Sequence, residues 1–241
     1  MEAVIFDISG TYALFKKPYS PLSPVSFPVP PPTAIFGIVG TIIGLGKDEY
    51  LNVIKGWDND AVRVGIQLLR PIQRYRTGLN LLRTKGTKFF RPAYKETRTQ
   101  VPAEFLKDPG FRIFFAHEET DLLDELEERL KAGCTEYTPY LGIAQCIAQV
   151  TWQGHFEVKE INTEQSEMRF NCVIPVTTTQ AKVTFEPRIR LTRLRVPARM
   201  QPDRTVVRFE DVIVDESAHK AGIPVSVNQY QKIGGHNILL F

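Results

Sequence analysis

The chain has 241 residues, a length that fits one elaborated domain or two small ones at roughly 100 to 200 residues each. Its 43% hydrophobic and 24% charged residues exclude a disordered, collagen-like or coiled-coil protein, and no apolar run reaches the roughly eighteen residues of a membrane-spanning helix. The net charge of +3 conceals a segregation: residues 1–62, 63–98, 99–181 and 182–241 carry −2, +9, −8 and +4.

The opening MEAVIFDISG has an acid at position 2 and lacks the pattern of a signal peptide. Three cysteines, Cys134, Cys146 and Cys172, lack CxxC spacing and read as reduced, small core residues of a cytoplasmic protein. Ala3–Ile8 is a β-branched and aromatic run that predicts a buried first strand. Seven prolines between Pro18 and Pro32 force an extended, irregular loop. It leads to Thr33, the expected N-cap of a helix through AIFGIVGTIIGL, whose glycines at 37, 40 and 44 allow close packing.

Ala61–Leu69 alternates as a strand does, and residues 70–103 then lose any sustained apolar period, which predicts a long excursion from the core. Phe111–Ala116 is the next strand. Thr120 is the expected cap of a helix with Leu122, Leu123, Leu126 and Leu130 on one face, solvated acids on the other and Gly133 at its end. Further strands are expected at Ile143–Trp152, His155–Ile161, Arg169–Val176, Lys182–Leu194, Val206–Val214 and Asn237–Phe241. The fold class is α+β. Its first half has the order of a βαββαβ, ferredoxin-like or RRM core with an insertion between the second and third strands, and antiparallel hairpins follow. We place the core at 1–152, with a basic excursion at about 70–110, and a β-rich region packed on it at 153–241.

The insertion, RPIQRYRTGLNLLRTKGTKFFRPAYKETR, interleaves cations with aromatic residues. Cations track phosphates and aromatic faces accept bases, so the pattern suits single-stranded nucleic acid. Arg74, Arg76, Lys85, Lys88, Arg91 and Arg98 are the candidate phosphate contacts; Tyr75, Phe89, Phe90 and Tyr94 are the candidate stacking residues, with at least one of Phe89 and Phe90 expected inside the hairpin's own packing. Thr33, with the helix amides behind it, is either a plain cap or a phosphate site. A second basic set, Arg188, Arg190, Arg193, Arg195 and Arg199, suits either a phosphate-tracking surface or a subunit interface. The four histidines have no zinc-ligand spacing, and neither GxSxG nor GxxxxGK[ST] is present, so no metal or other cofactor is expected. Metal-free RNA cleavage needs only a general base and acid, for which His117, a tyrosine and a lysine are candidates.

FDISGTYALFKKP near the start, VPPPTAIFGIVGTIIG, TRTQVPAEFLKDPGFRIFF, the PYLG at 139–142 and the closing GGHNILLF together resemble the CRISPR-associated Cas five family of the RAMP superfamily. The resemblance covers most of the chain and is most specific in the first 45 residues. It implies a modified RRM core with a projecting β-hairpin thumb, matching the insertion, and a subunit of a type I Cascade complex. It also implies that the subunit caps the 5′ handle of the CRISPR RNA and joins the large subunit to the backbone subunits, with target DNA bound in the assembled complex. Some members, in type I-C systems, cut the precursor RNA with a Tyr/Lys/His set; here Ala116 precedes His117, and the non-catalytic, type I-B-like branch is the expected one.

Overall fold

The computed structural model describes residues 1–20, 22–82, 86, 98–163, 167–187 and 189–241. The first half holds strand β1 (Glu2–Ser9), the short β2 (Tyr12–Ala13), helices α1 (Pro32–Ile43) and α2 (Tyr50–Ile54), and strands β3 (Val62–Leu68), β4 (Gln73–Leu82), β5 (Arg98–Lys107) and β6 (Gly110–His117). Helix α3 (Thr120–Ala132) and strand β7 (Gln149–Glu157) complete it. The second half holds β8 (Lys159–Asn162), β9 (Glu167–Phe170), β10 (Ile174–Pro175), the one-turn α4 (Val176–Thr179) and β11 (Lys182–Val183). The long hairpin β12 (Leu191–Met200) and β13 (Val206–Asp215) follows, then β14 (Ile223–Ser226), β15 (Gln229–Ile233) and β16 (His236–Ile238).

The apolar run of β1 is continuous because the strand is buried on both faces, unlike a strand with one wet side. Val4, Phe6 and Ile8 point into a core shared with Phe36, Val39 and Ile42 of α1 and with Leu122, Leu123, Leu126 and Leu130 of α3. Ala3 and Ile5 point the other way, into a second core built from Phe114, Phe170, Ile223, Val225, Ile233 and Leu240. Pairing is antiparallel throughout a sheet of order β3-β6-β1-β7. Helices thus cover one face of this sheet and the C-terminal strands cover the other.

Several expected boundaries move, each for a local reason. The N-cap of α1 is Pro31, with Pro32 at the first helical position, where a missing N–H costs nothing; Thr33 therefore lies inside the helix. Glu119, not Thr120, precedes α3 as its cap, and Gly133 closes the helix in the left-handed conformation with φ of 64°. The strand expected from Ile143 begins only at Gln149, because the Pro139–Ala148 segment folds back on itself through Leu141 N–H to Cys146 O and Ala148 N–H to Pro139 O. The stretch Lys182–Leu194 is not one strand: only its first two residues and those from Leu191 onward pair. Cys146 and Cys172 are buried as core residues, whereas Cys134, just beyond α3, is exposed.

The proline-rich segment is extended and well anchored. Its Phe27 N–H bonds Phe15 O at 2.8 Å, and its Val25 bridges Glu104 of β5 in parallel. Beyond α3, the 139–142 turn closes over the same region. Leu14 N–H donates to Leu141 O at 3.0 Å, and Gly142 has φ of 92°, with a hypothetical Cβ only 2.1 Å from Leu14 O. Gly142→Ala is expected to lower stability by about 2 kcal/mol or more, read as a lower denaturant midpoint at unchanged m.

Candidate nucleic-acid interface

The described residues of the 70–110 excursion form an antiparallel strand pair, the β4–β5 hairpin. Strands β4 and β5 pair in register from Gln73↔Lys107 to Leu82↔Arg98, so each ten-residue strand extends about 33 Å. Its base is fixed by β2 and by the proline-rich segment along the free edge of β5, while β4 is exposed for most of its length.

Alternation sorts the side chains onto two faces. On one, Arg74 and Arg76 flank Glu104, which is 7% exposed. Arg76 Nε donates to Glu104 Oε2 at 2.8 Å, yet the Arg76 side chain is 84% exposed, so its guanidinium edge remains open to a ligand. Arg74 is different. It makes a two-point ion pair with Glu216, including Nη1 to Oε2 at 2.9 Å, and its Nε lies 3.5 Å from Glu104. Its charge is already matched inside the protein, which removes it from the expected set of phosphate contacts. On the other face Tyr75 leans on Tyr12 with ring centroids 5.6 Å apart, and Tyr12 in turn meets Phe105 edge-on at 6.1 Å. Tyr75 remains 43% exposed, a fixed ring with a free side for stacking. Arg98 is exposed at the outer end of β5. Lys85, Lys88, Phe89, Phe90, Arg91 and Tyr94 lie outside the described residues.

Glu216 is the electrostatic anchor of the hairpin. Its side chain is 4% exposed and also receives Arg190, whose Nε lies at 3.6 Å, while its backbone carbonyl accepts the Ile72 N–H at 2.8 Å. Burial is the largest single influence and raises the carboxyl's pKa, but the hydrogen bonds and charge of Arg74, with Thr192 and the charge of Arg190, together outweigh it and hold the group below the usual carboxylate range.

The other expected site residues fall elsewhere. Thr33 is 8% exposed and its hydroxyl faces Pro197 O at 3.5 Å; the Ala34 and Ile35 amides behind it already donate to Pro31 O, so no anion site forms there. Within the second basic set, Arg199 is 1% exposed and structural: it bonds Asn59, Val62 O and Phe241 O, and burial lowers its pKa to about 10. Arg190 belongs to the hairpin anchor, and Arg193 pairs with Asp211 at 2.8 Å. Arg195 lies over the Phe209 ring at 5.3 Å, and Arg188 is outside the described residues. These arginines therefore do not form one phosphate-tracking row.

His117 is fully buried at the end of β6. Its Nδ1 accepts the Glu119 N–H at 3.0 Å, so Nε2 carries the proton and faces Ile54 O at 3.2 Å. Burial pushes its pKa down, keeping it neutral and structural. Lys55, the residue after Ile54, pairs with Glu118 and Glu119 at 2.5 and 2.9 Å. The arrangement is a satisfied core histidine, not an exposed general base. Among the described residues, Asp124, Glu127 and His155 have ligand-type atoms within 4.8 Å of one another, but Glu127 is already bonded to Lys131 and His155 at 2.6 and 2.7 Å.

Replacing Glu216 by Ala leaves Arg190 without this partner and Arg74 with only the longer contact to Glu104, and is expected to destabilise the fold by about 2 kcal/mol. Because the Glu216 pKa is depressed on folding, its contribution is present above the unfolded value of about 4.3 and fades as pH falls through the lower folded value. The difference between wild type and Glu216→Ala should therefore shrink on acidification, as followed by denaturant titration at successive pH values.

The family model described as CRISPR-associated protein (Cas_Cas5) matches residues 3–207. A protein from Thermus thermophilus described as "CRISPR pre-crRNA endoribonuclease Cas5d" is 31% identical over 156 residues, covering 59% of this chain and 60% of that relative's length. The crystal structure of a CRISPR protein from Archaeoglobus fulgidus superposes with a TM-score of 0.62 at 14% identity, covering 99% of this chain and 98% of that one. A chain of the type III-B Cmr-beta complex bound to cognate target RNA gives a TM-score of 0.50 at 10% identity, over 93% of this chain and 86% of that one. These two structures show likeness of fold, no helix among the described residues is long and apolar enough to cross a membrane, and the match along the sequence decides the family: the chain belongs to the CRISPR-associated Cas5 family.

Proposed function

We propose that this protein is a non-catalytic RNA-binding subunit of a type I Cascade complex, type I-B-like, that caps the 5′ handle of the CRISPR RNA and joins the large subunit to the backbone subunits in the cytoplasm. The observation that carries the reading is the β4–β5 hairpin, which presents Arg98 at its outer end and, nearer its base, an Arg76 whose side chain stays 84% exposed although Glu104 accepts from its Nε. Between Arg63 and Lys95 there are nine cations and no carboxylate, a density of charge that favours a polyanion. We read the strand order β3-β6-β1-β7, with α1 and α3 on one face, as the ferredoxin-like or RRM core of this subunit and the hairpin as its thumb. We read the C-terminal β-rich region as beginning near residue 153, a boundary that falls within β7. Target DNA meets the subunit only within the assembled complex.

The open sheet face that an RRM uses for RNA is here filled by Ala3, Ile5, Phe114 and Ala116 under the C-terminal strands. RNA is therefore held by the hairpin and not by that sheet. With Arg74 withdrawn, five of the six candidate phosphate contacts remain, so the log–log salt slope for single-stranded RNA is expected near −3.5, using about 0.7 per phosphate. Arg76→Gln and Arg98→Gln together should bring it to about −2. A slope near zero for the wild type, measured by filter binding of the purified protein, overturns the reading.

The Thermus thermophilus relative, at 31% identity, favours a second reading, metal-independent cleavage of precursor CRISPR RNA. The buried, internally bonded His117 counts against it. Incubation of the protein with labelled precursor repeat RNA in EDTA is expected to leave the RNA intact. A single specific cut replaces the first reading with the second and assigns the general base to a group other than His117.

A further inference from the structure

On the helix side of the molecule, away from the β4–β5 hairpin, a cleft of about 500 Å³ opens between α1 and the loop that follows α3, within the roughly 300–1,000 Å³ of small-molecule sites. Its floor is Gly37, where a side chain would meet nothing within 4 Å. One wall is Tyr50, brought flat against the helix because residue 40 is glycine: a Cβ there would lie 2.7 Å from the Tyr50 Cβ. Arg204 lies over the Tyr50 ring at 5.9 Å and donates to Lys47 O at 3.1 Å. The other wall is formed by Tyr137 and Tyr140, 54% and 44% exposed. This loop is not free to collapse onto the cleft, because the amides of Glu136 and Tyr137 bond the carbonyls of Ile42 and Thr41 at the end of α1, each at 3.1 Å.

The chemistry of the lining is selective. It combines three tyrosines with two cations, Lys47 and Arg204, and has no carboxylate. Tyrosine faces held apart over a glycine floor suit a flat aromatic ring, and cations at the rim suit an anion attached to it. The proline-rich segment also links this cleft to the hairpin: Ser26 N–H and Glu104 O meet at 3.2 Å at the hairpin base, and the same segment runs directly into α1.

We propose that the cleft takes one unpaired nucleotide of RNA, its base stacked against Tyr137, Tyr140 or Tyr50 and its phosphate on Arg204 and Lys47. This inference rests on the RNA-binding reading and extends it to a second contact, so that an RNA strand leaving the hairpin is held at two points.

The test is photocrosslinking of the full chain to a single-stranded oligouridylate carrying 4-thiouridine, with peptide mapping, together with binding isotherms at several salt concentrations. Crosslinks are expected both in the hairpin and in the tryptic peptide Ala132–Lys159, which carries Tyr137 and Tyr140. The Tyr137→Ala, Tyr140→Ala double variant should bind about tenfold more weakly at an unchanged salt slope, since stacking and not charge is lost. The corresponding Phe variants should restore binding, and, because the cleft phosphate adds to the five of the hairpin and takes the wild-type slope to about −4, Arg204→Gln should reduce it by about 0.7. If crosslinks are confined to the hairpin and the double Ala variant binds like wild type, the cleft is not a nucleotide site while the hairpin reading stands. If the wild type retains no RNA at low salt, both fail together.

Discussion

The constraint on which the structure depends is the burial of β1 and β6, the inner strands of the β3-β6-β1-β7 sheet, on both faces. Val4, Phe6 and Ile8 face the helices while Ala3 and Ile5 face the C-terminal strands, and fully burying such side chains stabilises a fold by about 1.5–3 kcal/mol each. A strand buried on both sides cannot offer a face to a ligand. A ligand is therefore met at the periphery, where the β4–β5 hairpin, the β12–β13 hairpin and the loops at the end of α1 carry exposed charged and aromatic side chains.

Displacement alone does not make a cation available. The hairpin is joined to the body by Glu216, which takes Arg74 from β4 and Arg190 from the segment before β12. A carboxylate that is 4% exposed needs such partners, because an unpaired buried charge costs several kcal/mol. The position of the hairpin is thus fixed by one of the arginines that its sequence displays, while Arg76 and Arg98 stay exposed on the same two strands. Arg199 shows the same division in stronger form, since a guanidinium bonded to Asn59, Val62 O and Phe241 O joins segments of the fold and has no role at the surface. His117 follows the same logic, with both ring nitrogens engaged by the backbone.

Much of this was legible beforehand. The leucine stripe of α3 and its Gly133 stop, the buried first strand and the basic excursion all follow from periodicity, glycine stereochemistry and charge, which are local properties. The N-termini of α1 and α3 were misplaced by one or two residues, because a threonine near a helix start resembles a cap whether or not the backbone turns there. Tyr137 stands in a turn-rich stretch with no periodic signal, and Tyr140 enters the sequence only as part of the PYLG at 139–142. They became a candidate site only when α1 and the loop after α3 were seen to share hydrogen bonds.

The sequence by itself determined the family, through motifs spread along most of the chain, and the existence of a +9 block with aromatics among its cations. Only the tertiary structure decided which of those charges are free. An arginine's availability depends on whether a carboxylate distant in sequence, such as Glu216 for Arg74 at a separation of 142 residues, folds back to meet it. Coulombic pairing acts through space over a few ångströms, and no pattern of neighbours along the chain records it.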